Sequence, residues 1–198
     1  MDLQKITYRQ KICISCSTKR CCFYYVVPLT GADVSRIAGA LQLFPEDFVT
    51  YYEPQTQGGA LFRLSPEGPL YAMILAKREV PDKDGAPCLF LVQTNDGHAR
   101  CGLHDLRPLQ CETYPVVIED GSVDIINDPA GCVRTWSYGD IDVIVEKKRL
   151  QQLKSLEMEH ARMVEKWNRH ILEEGMTHGF DEFCAYLLNC CRAQEDSP

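Results

Sequence analysis

The sequence has little tryptophan, two residues in 198, and no stretch of about 18 apolar residues that would cross a bilayer as a helix. Positive charge is also scarce: 21 Lys and Arg stand against 28 Asp and Glu, a formal net charge of -7. That balance argues against a nucleic-acid partner, because binding phosphates needs clustered cations. Basic residues do group at Lys147, Lys148 and Arg149, and they read as a solvated helix face. The opening Met-Asp-Leu-Gln-Lys-Ile-Thr-Tyr-Arg-Gln carries no apolar h-region, so neither a secretory leader nor a membrane partner is expected, and a cytoplasmic location is. There is no Gly-rich nucleotide loop, no defensible Ser/His/Asp order and no repeat of fixed period.

Cysteine is what the chain has in excess. A chain of 198 residues with 45% hydrophobic content can bury a core without covalent staples, so its 11 cysteines need a chemical explanation. In a reducing cytosol, clustered thiols are metal ligands or redox groups rather than bridges. Cys13, Cys16, Cys21 and Cys22 crowd into ten residues; Cys88, Cys101 and Cys111 follow in the middle, and Cys132 precedes a helical tail. These eight are the candidate metal ligands. Their sulfur is soft and anionic, which suits zinc and iron–sulfur centres alike. The two-residue gap in Cys13-x-x-Cys16 lets both sulfurs bend to one ion from a single turn. Adjacent Cys21 and Cys22 strain the peptide between them if they share one tetrahedron, so they point to different ions or to opposite sides of a larger cluster. Eight sulfurs complete two four-thiolate sites, or serve one iron–sulfur cluster with the remainder structural or on a second metal.

Other residues near the cysteines have plainer readings. Cys184, Cys190 and Cys191 lie on an amphipathic segment and read as core. His98 falls in a turn and is expected in solvent, whereas His104, three residues after Cys101, is the better second candidate ligand, with a satisfied surface histidine as its favoured ordinary reading. Arg107 is placed to donate to a thiolate sulfur or to a carbonyl beside the bound cofactor, offsetting negative charge; a salt bridge with Asp105 or Glu112 is its ordinary alternative.

The pattern predicts an α+β protein: a small, irregular, cysteine-rich metal-binding core with short β-hairpins and N-terminal helices, followed by a C-terminal helical hairpin. Phe23–Val27 reads as a buried strand ending at Pro28. Thr30 with Asp33 reads as a capping box opening a helix through Val34, Ile37, Ala38 and Leu41, and a second helix is expected from Pro45. Strands are expected at 60–64, 71–76 and from Cys88, with turns at Pro81–Gly85 and Asn95–Gly97 and a return over Ala99–Leu103. That hairpin would set Cys88 and Cys101 at comparable heights. Arg107-Pro108 opens a helical turn carrying Cys111 before Pro115, and 116–118 pairs with 123–126. Helices are expected over 141–172, stopping at Gly175, and over 181–192. Position 140 is a compositional boundary: 1–139 is read as the cysteine-cluster domain and 140–198 as a helical extension packed on it, which also offers a surface to a protein partner.

The order of these residues resembles the YkgJ-type cysteine-cluster family, a domain with a CxxCxxCC opening assigned to zinc or iron chelation. The resemblance rests on Cys13, Cys16, Cys21 and Cys22; on the Thr30–Asp33 helix start; on Cys88-Leu-Phe-Leu; on Cys101-Gly-Leu-His with Arg107-Pro-Leu-Gln-Cys111-Glu-Thr-Tyr-Pro115; and on Gly131-Cys132. It spans about residues 10–135. The gap before Cys21 is four residues instead of two, and Lys19-Arg20 precede the pair. The resemblance implies a metal-binding domain. A related domain in the flagellin lysine methylase implies an alternative, a metal-dependent enzyme modifying protein side chains or small molecules, for which an open coordination position beside a titratable group such as His104 would speak. A metal-free thiol redox protein with Cys13 and Cys16 as its active pair would need a strand leading into a helix that begins there, and the polar N-terminus does not provide that strand.

Overall fold

The computed structural model describes residues 7–56, 58–79, 85–95 and 98–195, so the expected turns at Pro81–Gly85 and Asn95–Gly97 fall largely outside the described residues. The chain forms two compact units, one of Met1–Val26 with Lys77–Gln152 and one of Val27–Ala76 with Leu153–Pro198.

In chain order, α1 (Tyr8–Ser15) opens on a capping box in which Thr7 and Gln10 exchange hydrogen bonds. The next helix, α2 (Cys21–Tyr24), replaces the expected strand at Phe23–Val27. Its cause is local: the amides of Cys22, Phe23 and Tyr25 donate to the carbonyls of Lys19, Arg20 and Cys21, so the start of the segment is wound, and only its end, the Val27 carbonyl, accepts from a strand amide, that of Leu75 at 2.9 Å. The capping box of Thr30 and Asp33 is present and starts α3 (Gly31–Leu41), which buries Val34, Ile37 and Ala38 as its spacing required. After it, Pro45–Asp47 makes only a 3₁₀ turn that buries Phe48.

In the second unit β1 (Val49–Tyr52) pairs antiparallel with β2 (Ala72–Leu75). The expected strand at 60–64 shrinks to one bridge, Phe62 with Tyr71. Its remaining polar groups go to side chains. Asn168 accepts from the Arg63 amide and donates to the Leu61 carbonyl, at 2.9 and 2.8 Å, and the Trp167 indole donates to the Arg63 carbonyl at 2.7 Å. These bonds hold Phe62 against Phe183, with ring centroids 4.0 Å apart and nearly parallel.

The first unit resumes with β3 (Leu91–Gln93) and β4 (Ala99–Cys101). The strand begins later than expected, because Cys88 turns back through a bond from the Leu91 amide and forms its bridge with Lys77. Cys101 is therefore registered with Leu91, not with Cys88. Helix α4 (Leu109–Thr113) carries Cys111 and stops before Pro115, as expected. Strands β5 (Val116–Glu119) and β6 (Ser122–Ile125) close a hairpin whose tip residues, Asp120 and Gly121, both take positive φ, 48° and 80°.

The long helix α5 (Val143–Glu174) ends at Gly175, φ 69°, and α6 (Phe180–Glu195) completes the second unit. Ile171, Phe183, Leu187 and Cys184 are fully buried there and Cys191 nearly so, which matches the core reading for those two cysteines, while Cys190 is only partly covered. Of the basic group on α5, Lys147 and Lys148 face solvent, while Arg149 turns inward to Gln10 and Glu146. Among the described residues no helix is long and apolar enough to cross a membrane.

One buried titratable group in the second unit supports a prediction. His160 is nearly inaccessible, its Nδ1 has no partner, and burial lowers its pKa from 6.5 to about 4 against the opposing field of Asp33. Its folded pKa lies below its unfolded value, so stability is fully present above pH 6.5 and is lost as pH falls towards 4. The loss should reach about 3 kcal/mol, at about 1.4 kcal/mol per unit. In urea titrations between pH 7 and pH 4.5, His160→Leu should flatten this part of the acid dependence; an unchanged slope would refute it.

Candidate metal centre

All eight candidate ligands belong to the first unit. Cys13 rides on α1, and Cys16 follows its last turn with extended backbone. The chain then reverses at Lys19, whose φ is 45°, and the buried Lys19 ammonium turns back to cap α1 by donating to the carbonyls of Cys13 and Ile14. The four-residue gap is thus a closed turn with a cation at its centre. Cys21 and Cys22 occupy the first two positions of α2. The Cys22 carbonyl accepts from the Cys88 amide at 2.7 Å, and Lys77 Nζ donates to the Phe23 carbonyl at 2.8 Å, so the opening cluster and the Cys88 segment are joined through backbone.

The opposite wall depends on Arg9. Buried on α1, it makes a double contact with the buried Glu146 carboxylate of α5, each bond 2.9 Å, and donates also to the carbonyls of Tyr114, at 2.7 Å, and Glu112. It ties the Cys13 helix to the end of the Cys111 helix. Sequence reasoning missed this residue, since nothing in a polar N-terminal segment distinguishes a buried arginine from a solvated one. Cys132 lies at a turn closed by its amide on the Asp128 carbonyl, and the Trp136 indole reaches its sulfur at 3.4 Å.

The thiols fall into two neighbourhoods by the fields they exert. Cys22, Cys88, Cys101 and Cys111 act on one another: Cys88 and Cys101 both raise Cys22 and Cys111, and Cys101 raises Cys88. Cys13 instead feels Cys21 and Cys132. Cys21 lies between, since it also acts on Cys111 and, ahead of Cys88 and Cys101, on Cys22. Cys16 stands in reach of the Thr18 hydroxyl at 3.3 Å. Among the described residues no three cysteine sulfurs lie within 4.8 Å of one another, so a closed four-sulfur shell requires side-chain rotation.

Burial is the largest single influence on Cys13, Cys16, Cys88 and Cys111, and at all but Cys16 it carries the pKa up, Cys111 well above its ordinary value. In the adjacent pair, the Cys22 thiol bonds to Cys21, which holds Cys21 down to about 7 and drives Cys22 far up. At Cys16 burial opposes the thiolate, but the Thr18 hydroxyl, the amides of Lys19 and Thr18 and the Lys19 charge outweigh it and lower the pKa. Arg9 and Arg107 both lower Cys13, and Arg107 also lowers Cys111. Arg107 anchors itself by donating to the His104 carbonyl at 2.9 Å. Neither histidine is buried among the sulfurs: His98 is exposed, and His104 is half-exposed and bonded to Asp105 at 2.6 Å.

The donor set fits a metal ion. Packed thiols raised by burial and by one another are the groups whose protons a multivalent cation displaces, because its charge reverses both effects. Near Cys132 and Cys21 the Tyr114 hydroxyl is buried without a partner, and Gly131 leaves it room: a Cβ there would stand 2.6 Å from that oxygen.

A family model described as "CxxCxxCC: Putative zinc- or iron-chelating domain" matches residues 12–133. The chain belongs to the CxxCxxCC family. The matched span contains all eight candidate cysteines and Arg107, and ends just past Cys132. No curated protein and no solved structure matches the chain. As a CxxCxxCC protein it is a member of a cysteine-rich family to which zinc or iron chelation is ascribed.

Proposed function

We propose that this CxxCxxCC protein holds metal in two cysteine sets, Cys22, Cys88, Cys101 and Cys111 in one, and Cys13, Cys16, Cys21 and Cys132 in the other. What supports the reading is that Cys88 and Cys101 act on both Cys22 and Cys111, whereas Cys132 acts on Cys13; Cys21, which acts on Cys13, Cys22 and Cys111 alike, joins the second set because adjacent cysteines strain a shared tetrahedron. Cys16 joins the second set through its two-residue spacing from Cys13. The first set gathers segments distant in sequence, the role of a structural centre. Arg9, Lys19 and Arg107 supply positive charge that offsets the excess negative charge of a many-thiolate site. Zinc and iron–sulfur centres both suit this donor set.

The test is metal and sulfide analysis with a visible spectrum of protein purified without oxygen. Iron with acid-labile sulfide and a broad visible absorbance would make it an iron–sulfur protein, and a colourless protein carrying zinc would make it a zinc protein. Folded, metal-free protein with eight reactive thiols would overturn the proposal.

A second reading, an enzyme acting at a metal, is favoured by one observation. Cys16 and Cys101 line a cleft of about 450 Å³ whose other walls include Lys19, Arg100, Arg107 and His104. A metal held at that rim could keep a position free for an anionic substrate, as catalytic sites do and closed four-cysteine sites do not. In cobalt-substituted protein, a spectral change on adding azide would support this reading; no change would dismiss it.

A further inference from the structure

A second group of metal-ligating side chains lies in the other unit, outside the matched family span. His170 and Glu174 are one turn apart on α5, and Gly175, at φ 69°, ends that helix so that His178 comes back over it. Among the described residues, these are the three donors whose ligand atoms all lie within 4.8 Å of one another. The two rings converge on a single atom: Glu174 Oε2 is 3.4 Å from His170 Nε2 and 3.0 Å from His178 Nε2.

Hydrogen-bond capacity decides how this can be satisfied. The other nitrogen of His178, Nδ1, faces Glu182 at 3.3 Å. A neutral imidazole donates from only one nitrogen. His178 thus faces a carboxylate at each nitrogen, with Nε2 bonded to Glu174; the ring meets both either by carrying a second proton or, with Nδ1–H turned to Glu182, by taking a metal cation at Nε2. A carboxylate behind a histidine is the arrangement that fixes the metal-binding tautomer elsewhere. The site is also held in place. The His178 amide donates to the Leu64 carbonyl at 2.8 Å, its side chain is 15% exposed, and the Trp167 ring lies edge-on 5.6 Å away.

We propose that His170, Glu174 and His178 form a binding site for a divalent transition metal of the zinc class, with Glu182 as the positioning residue. Two imidazoles and one carboxylate are a zinc-type donor set. Bonds of about 2.0–2.2 Å place tetrahedral donors about 3.3 Å apart, near the two spacings to Glu174, and the two histidine donors lie within 4.8 Å of each other. Three protein ligands leave a fourth position for water or an exchangeable anion. The site uses no cysteine, so it does not depend on the cysteine reading.

The experiment is calorimetric titration of the full-length protein, carrying its cysteine-bound metal, with Zn²⁺, alongside zinc absorption spectroscopy of the added equivalent. One binding event beyond the resident metal is expected, with nitrogen and oxygen neighbours only. His170→Ala and His178→Ala should each weaken it at least tenfold, and Glu182→Gln about tenfold, leaving resident metal content unchanged. His170 is half-exposed, so His170→Gln provides a variant that should leave the fold intact, checked by circular dichroism. No extra event in the native protein, sulfur neighbours around the added zinc, or equal affinity in the His170→Ala/His178→Ala double variant would each overturn the assignment.

Discussion

Arg9→Met should lower the stability of the protein by about 3–5 kcal/mol, the usual loss when one partner of a buried ion pair is removed. Arg9 is 1% exposed and Glu146 0%, and the two make both guanidinium–carboxylate bonds. The methionine would leave the buried Glu146 carboxylate with only its longer 3.7 Å contact to Arg149, and would take Arg9's donors from the Glu112 and Tyr114 carbonyls. Domains are typically stable by only about 5–15 kcal/mol, so the variant should be marginal. The control is Arg9→Met with Glu146→Met. Replacing both charges removes the buried carboxylate, and the double variant should recover at least about half of the loss in the urea midpoint. If it is no more stable than Arg9→Met alone, the buried charge is not the cause.

Cys111→Ser should strip the whole metal content of its set, and with it the fold of the first unit. Zinc at a structural four-cysteine site can supply about 10–16 kcal/mol of apparent folding energy, as much as a domain's entire stability. Burial first, then the charges of Cys88, Cys101 and Cys21, raise the Cys111 thiol, so a serine there leaves a half-buried hydroxyl and three sulfurs with an incomplete shell. Cys22→Ser, Cys88→Ser and Cys101→Ser should remove the same equivalent of metal. Cys132→Ser should spare it and remove another. The division into two sets fails if Cys111→Ser and Cys132→Ser deplete one common pool in metal analysis of the purified variants.

Much of this was legible because it is local. The capping box at Thr30 and Asp33, the Arg107-Pro108 opening of α4, the hairpin at Asp120-Gly121 and the Gly175 stop depend on residues within a few positions of one another. The cysteines could be counted and spaced, and the family model spans them. What escaped depends on partners far away in sequence. Phe62 reads as strand, yet its neighbours' backbone groups are taken by Trp167 and Asn168, more than a hundred residues on. Arg9 meets Glu146 across 137 positions, and no periodicity records such a pairing. The histidines at 170 and 178 sit four positions either side of Glu174, a spacing that was readable but was overshadowed by the cysteines.

The two compact units share α5, which belongs to the first unit as far as Gln152 and to the second from Leu153. Neither unit is one uninterrupted piece of chain. No single cut can therefore release either of them whole, and a fragment ending at residue 139 would contain every candidate cysteine but leave Arg9 without Glu146. Expression trials that trim the protein to its family-matched span should yield insoluble or protease-sensitive material, and dissection requires circular permutation or a relinked chain instead of truncation.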